Sequence, residues 1–150
     1  MTELYNYKQS ASQLMITAFV VGFFAFAYAG WQAVEADRLW YWLGAIIFIF
    51  IGWQFSSLRI VLTPEYLRFG FGWMRQTIKV EDLMSVEISQ FKWGNYWGLG
   101  IRRGRDRTWG YVATTGPGLL LKTTKHKFFI SLDNPEQLAD LLKNSFIKSK

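Results

Sequence analysis

The 150-residue chain contains no cysteine, three prolines and a single histidine. Without cysteine there are no disulfides, thiolate zinc sites, iron–sulfur clusters or thiol nucleophiles. His126 lies between two lysines in an expected turn, and no second histidine is present to build a metal site with it. The acids are scattered, and Gly98, Gly100 and Gly104 lack the spacing of a dinucleotide fingerprint. The sequence therefore predicts no enzyme activity and no cofactor.

Charge is absent from two long apolar segments, residues 14–34 and 39–58. At ~1.5 Å rise per residue, each segment reaches roughly 30 Å as a helix, which is the thickness of a bilayer's hydrocarbon core. The four residues 35–38 between them only allow the chain to return directly. We therefore predict an antiparallel hairpin of two transmembrane helices. Buried helices of a soluble core are the alternative.

A cleaved signal peptide is a second alternative for the first segment. Residues 14–26 have the length of its apolar region, and residues 27–29 fit the small-x-small cleavage pattern. Against this, Glu3 and Lys8 leave the preceding region without a positive cluster, and the apolar run continues to Val34. These features favour a retained helix.

Small side chains recur on one face of each segment and allow helix backbones to approach in lipid. The ordinary abundance of small residues in membrane helices is the alternative explanation. The predicted contact surface consists of Ala18, Gly22, Ala25 and Ala29 in the first segment, and Gly44, Gly52 and Ser56 in the second.

The basic residues predict the orientation of the hairpin. Residues 59–150 hold 15 Lys and Arg against 8 Asp and Glu, whereas residues 35–38 hold one Arg and two acids. By the positive-inside rule, both termini lie in the cytoplasm and the protein is a multi-pass protein of the inner membrane. Aromatic residues suit both interfaces, with Tyr5, Tyr7, Trp53 and Phe55 on the cytoplasmic side.

From Leu58 onward, the apolar pattern changes to the alternation of β-strands. About seven antiparallel strands are expected, and Gly116–Gly118 marks a strong turn between two of them. Asp133 or Asn134 caps a final amphipathic helix that has Pro135 at its first position. The predicted fold class is a membrane helical hairpin plus an α+β domain.

Several segments carry a resemblance: Ile60–Leu67, Gly98–Arg102, Thr115–Gly118 and Ile130–Leu138. With the order of elements, they resemble the pleckstrin-homology-like (PH) domain, an antiparallel β-sandwich or barrel closed by a C-terminal helix. The chain is most similar to bacterial membrane-anchored proteins with two transmembrane helices before such a domain. The resemblance implies a division into residues 1–58, the tail and hairpin, and 59–150, the cytoplasmic domain. The loop 63–66 has no Lys or Arg, so inositol-phosphate binding is not implied.

Basic and aromatic residues alternate most densely between residues 91 and 111. They suit an anionic bilayer surface or single-stranded nucleic acid, and an ordinary solvated hairpin is the third interpretation. A membrane anchor keeps the domain beside lipid, so we expect no nucleic acid. The predicted contact residues are Arg102, Arg103, Arg105, Arg107, Trp93, Trp97 and Trp109.

The sequence thus predicts a non-catalytic membrane protein that presents an interaction or scaffold module. Its partner is another protein or a second copy of the chain. The alternative is a sensor of anionic lipid headgroups that uses the basic stretch Arg102–Arg107.

Overall fold

The computed structural model describes residues 3–148, and the side chains as far as Ser145. The order of elements is β1 (Tyr5–Ser10), α1 (Gln13–Gln32), α2 (Glu35–Gln54), β2 (Ser57–Leu62), β3 (Tyr66–Phe71), β4 (Met74–Lys79), a 3₁₀ turn (Val80–Asp82), β5 (Leu83–Gln90), α3 (Trp93–Tyr96), β6 (Gly100–Arg103), β7 (Trp109–Val112), β8 (Pro117–Thr123), β9 (Lys127–Ser131) and α4 (Pro135–Lys148).

The strands form a four-stranded sheet, β1-β2-β3-β4, and a five-stranded sheet, β5-β8-β9-β7-β6. The predicted α+β class is confirmed. The expectation that all strands are antiparallel is wrong for one pair, because β7 and β9 run parallel. The chain passes from β7 to β8 and leaves a space between them, which β9 then fills. β8 runs in the direction opposite to β7, and β9 runs opposite to β8, so β9 is parallel to β7.

The main core lies between the two sheets. Leu58, Ile60 and Leu62 are fully buried on one side of β2, as a two-residue alternation requires. The Phe69 ring meets Tyr111 and Phe128 edge to face, with centroids 4.9 and 5.6 Å apart. Helix α4 closes the core, to which it contributes Leu138, Ala139 and Leu142.

Strand β1 precedes the first helix and was not predicted. It pairs with β2 along its whole length, from Tyr5 opposite Leu62 to Ser10 opposite Ser57. Tyr5 and Tyr7, expected at a membrane interface, instead pack against the core between the sheets. The helical hairpin is therefore an insertion between two paired strands.

The two long helices begin and end earlier than predicted. Helix α2 starts at Glu35, so the expected loop 35–38 forms its first turn, where Glu35 and Asp37 complement the positive helix end. It ends at Gln54, and β2 starts at Ser57. The predicted boundary at residue 58 was late because the apolar residues of β2 continue the apolar run of α2.

Both helices are long and apolar enough to cross a membrane, judged by length and composition. Most of their large apolar side chains point away from the protein. Phe24 is 64% exposed, Trp40 is 70% exposed and Ile46 is 61% exposed. These helices are thus not the buried core of the sandwich.

Each helix packs aromatic side chains onto glycines of the other. A Cβ atom added at Gly44 would lie 2.5 Å from Cδ1 of Phe26, and one at Gly52 would lie 3.1 Å from Cβ of Phe19. In each helix the contact residues are three, four and four positions apart, so each aromatic residue meets a glycine of the other helix. The four pairs are Phe19–Gly52, Gly22–Phe48, Phe26–Gly44 and Gly30–Tyr41.

Gly22, Gly44 and Gly52 of the predicted contact surface lie where the two helices meet, but the predicted alanines of the first helix do not mark the contact. Ala25 is exposed and Ala29 is half-buried. The face that meets α2 is instead the one bearing Phe26, one residue later in the chain. The pattern of small residues missed that aromatic side chains occupy the space above each glycine.

Replacing Gly22 with Leu is predicted to destabilise the helical hairpin, because the new side chain overlaps the Phe48 ring. Overpacking of this kind costs about 1–3 kcal/mol. The double variant Gly22→Leu/Phe48→Ala should recover much of the loss. Thermal unfolding of the full chain in detergent measures both, and Ala25→Leu on the exposed face is the control. A loss equal to that of the control would disprove the packing.

Candidate interaction site

Strands β6 and β7 form the basic–aromatic hairpin, whose turn spans residues 104–108. Arg102 lies opposite Gly110, and Arg103 lies opposite Trp109. All four predicted arginines, Arg102, Arg103, Arg105 and Arg107, are exposed. Strand β6 is the edge of its sheet, so one side of the hairpin is open to a partner.

Two of the arginines are held over indole rings. The Arg103 guanidinium lies 5.7 Å from the ring centroid of Trp109, and that of Arg105 lies 5.6 Å from the ring of Trp97. Each such contact contributes about 0.5–1 kcal/mol at an exposed site. Arg102 is fixed differently, because its Nε donates to the carbonyl of Leu99 at 3.0 Å. Arginines and tryptophans are close together in the sequence, and the fold places individual arginines over individual indole rings.

A polar network holds the turn of the hairpin in one shape. Asp106 Oδ1 accepts from the Thr108 amide at 3.1 Å and from Asn95 Nδ2 at 3.1 Å, while Oδ2 accepts from the Thr108 hydroxyl at 2.8 Å. Asn95 Oδ1 accepts from the Arg105 amide at 2.9 Å. Partial burial opposes ionisation of Asp106, but these hydrogen bonds outweigh it and lower its pKa. The Asp106 carboxylate is thus held by hydrogen bonds within the turn.

The short helix α3 anchors the hairpin on the outer face of the second sheet. Tyr96 is buried between Phe91 and Phe129, and both ring pairs are stacked. Burial, followed by the charge of Asp106, raises the pKa of Tyr96 to about 12. A Cβ atom at Gly110 would lie 2.7 Å from the Tyr96 ring, so this packing requires glycine there. Neither α3 nor the role of Gly110 was predicted from the sequence.

Two tryptophans beside this anchor remain in solvent. Trp93 is 54% exposed and Trp97 is 72% exposed, whereas Trp109 is partly buried against the main core. Large exposed aromatics beside fixed arginines are the composition of protein–protein contact points. The predicted site residues therefore divide into an exposed group around Trp97 and a packed group around Trp109.

The tip of the hairpin lies beside the β8–β9 turn. Arg103, Arg107, Lys125, His126 and Lys127 line one open cavity there. The two helices join the sheets at the opposite end, where the Ser12 amide donates to the carbonyl of Ala113. Strand β9 covers four residue steps between these ends, or about 13 Å at ~3.3 Å per step.

Four cations that the sequence analysis did not group share the outer face of the first sheet: Lys8, Arg59, Arg68 and Arg75. They are far apart in the chain, and only the strand register brings them together.

Within residues 3–148, no three His, Asp or Glu side chains are placed to hold a metal ion. His126, the only histidine, is exposed in the β8–β9 turn.

Comparison of the chain with protein-family models, with curated proteins and with solved structures finds no match.

Removing the Asp106 carboxylate is predicted to loosen the hairpin turn. Hydrogen exchange of the Thr108 amide should accelerate by about tenfold or more in Asp106→Ala, since a hydrogen bond to a charged group contributes ~1.5–3 kcal/mol. Because the pKa of Asp106 is lowered, its contribution is complete above its ordinary value of 3.8 and is lost as pH falls through the lowered pKa. Asp140→Ala, an exposed acid of α4, is the control. Unchanged exchange at Thr108 would contradict the network.

Proposed function

We propose that this protein is a multi-pass protein of the inner membrane that presents its β-sandwich to the cytoplasm as a non-catalytic interaction module. Two properties of α1 and α2 support membrane insertion. Their outward apolar side chains need an apolar surrounding. Where the two helices meet, aromatic side chains pack onto glycines, and small residues are enriched at such contacts between helices in lipid.

The proposed orientation follows from charge. Residues 59–150 carry 15 Lys and Arg against 8 acids, and the connection between the helices lies beside Glu35 and Asp37. Both termini and the sandwich then lie on the cytoplasmic side. The proposal retains the pleckstrin-homology-like interpretation of the sandwich, which rests on two sheets and a C-terminal helix.

The basic–aromatic hairpin is the proposed contact site for a protein partner or a second copy of the chain. The observation that carries this is its position, because its tip lies at the end of the strands remote from the helices. At physiological ionic strength, charges are screened beyond about 8 Å. The distance of about 13 Å along β9 therefore favours a partner in the cytoplasm over the headgroups of the same bilayer.

The matching experiment places a photo-reactive benzophenone amino acid at Trp97 in the full membrane-embedded chain. We expect one saturable cross-linked product, a defined protein or a dimer of the chain. Substituting Gln for the four hairpin arginines should weaken capture by about thirtyfold, because contact hot spots contribute about 2 kcal/mol or more.

The same amino acid at Met84, which is 65% exposed on β5, provides the control position. Capture at Trp97 no greater than at Met84, or capture unaffected by loss of the arginines, would refute the proposed contact. Cross-linking to lipid alone at Trp97 would favour the headgroup sensor instead.

A further inference from the structure

The outer face of the first sheet carries a row of cations that crosses all four strands. Lys8 of β1 lies opposite Arg59 of β2, Arg59 lies opposite Gly70 of β3, and Gly70 lies opposite Arg75 of β4. We call Lys8, Arg59 and Arg75 the cationic row. With strands ~4.8 Å apart, it spans about 14 Å.

The centre of the cationic row is Gly70, which contributes no side chain. Gly70 has φ +152°, and a Cβ atom there would overlap the backbone of Met74 and Arg75, so no side chain fits between Arg59 and Arg75. Arg68 extends from the next row and completes a cavity of about 370 Å³ with these two arginines. A phosphate group has the charge and size to enter such a space.

The arginines keep donors available for a ligand. Arg75 uses Nε to donate to the carbonyl of Gly72 at 2.7 Å, and Arg68 uses Nε to donate to Thr77 Oγ1 at 3.2 Å. These bonds fix the side chains and leave the terminal amino groups, the donors that bind phosphate oxygens. Glu3 is the one acid lining the cavity, and its carboxylate accepts from Asn6.

The row lies close to the helices, unlike the tip of the basic–aromatic hairpin. Arg59 is two residues beyond Ser57, the first residue of β2, which places it about 7 Å along the strand. The β3–β4 turn reaches further, since the Trp73 ring lies 5.1 Å from that of Phe50, one turn before the end of α2. Trp73 is 64% exposed, as expected of an aromatic side chain at a membrane interface.

From this position we infer that the cationic row, with Arg68, binds the phosphates of anionic lipid headgroups in the bilayer that the chain's own helices cross. The binding holds the first sheet against the membrane surface, with Trp73 in the interface. The inference rests on the proposed membrane insertion, and it assigns lipid contact to a different surface from the basic–aromatic hairpin.

The test titrates the full chain in neutral detergent with phosphatidylglycerol and counts retained lipids by native mass spectrometry. A basic side chain near an anionic surface contributes about a fivefold factor in affinity. Lys8→Gln/Arg59→Gln/Arg75→Gln should therefore weaken binding by about a hundredfold. Arg103→Gln/Arg105→Gln/Arg107→Gln removes the same charge at the remote end and should change it less than about twofold. Phosphatidylcholine should bind all three proteins equally weakly.

Equal weakening by the two triple variants, or none by the first, would overturn the inference. The single variants Arg59→Gln and Arg75→Gln, each expected to lose about fivefold, keep the test valid if the triple variant misfolds. Alkaline extraction of membranes separates this outcome from the parent proposal. Release of the wild-type chain would refute membrane insertion, whereas a retained chain with unselective lipid binding would refute only the cationic row.

Discussion

The pairing of β1 with β2 is the constraint on which the other features depend. The chain leaves the first sheet at Ser10 and returns at Ser57, and these two residues lie opposite each other. The chain therefore leaves the sheet for the helical hairpin, and returns from it, at points one strand spacing apart, ~4.8 Å. Gln54 secures the joint, because its buried side chain donates to the carbonyl of Phe71 at 3.1 Å. The orientation of the helical hairpin therefore determines the orientation of the strands of the first sheet.

This joint gives the sandwich two functionally different ends. The end of the sandwich beside the helices carries Trp73, and the cationic row lies next to it. The far end carries the tip of the basic–aromatic hairpin. The two positive surfaces have similar side chains but different surroundings. In the proposed account, one holds the protein against lipid and the other remains available to a protein partner.

Local patterns in the sequence were sufficient where one rule dominates. Strands follow Leu58 as the alternating pattern predicts, and α4 starts at the predicted Pro135, because alternation, turn residues and caps act within a few residues. The parallel β7–β9 pair was unpredictable in this way, since it depends on which strand fills a gap between distant segments. The cationic row was missed for the same reason: Lys8 and Arg75 are 67 positions apart. The dense arginine cluster was visible in sequence, but its distance from the helices was not.

The account is tested most directly by depth measurements on single spin labels, which are simple to introduce because the chain has no native cysteine. Labels at Met74→Cys, beside the helices, and at Lys125→Cys, beside the hairpin tip, are compared in bilayers carrying a relaxation agent on the lipid headgroups. The account predicts strong relaxation at position 74 and little at position 125, because collisional relaxation requires the label to meet the headgroup-bound agent. Equal relaxation at both positions, or stronger relaxation at 125, would contradict it.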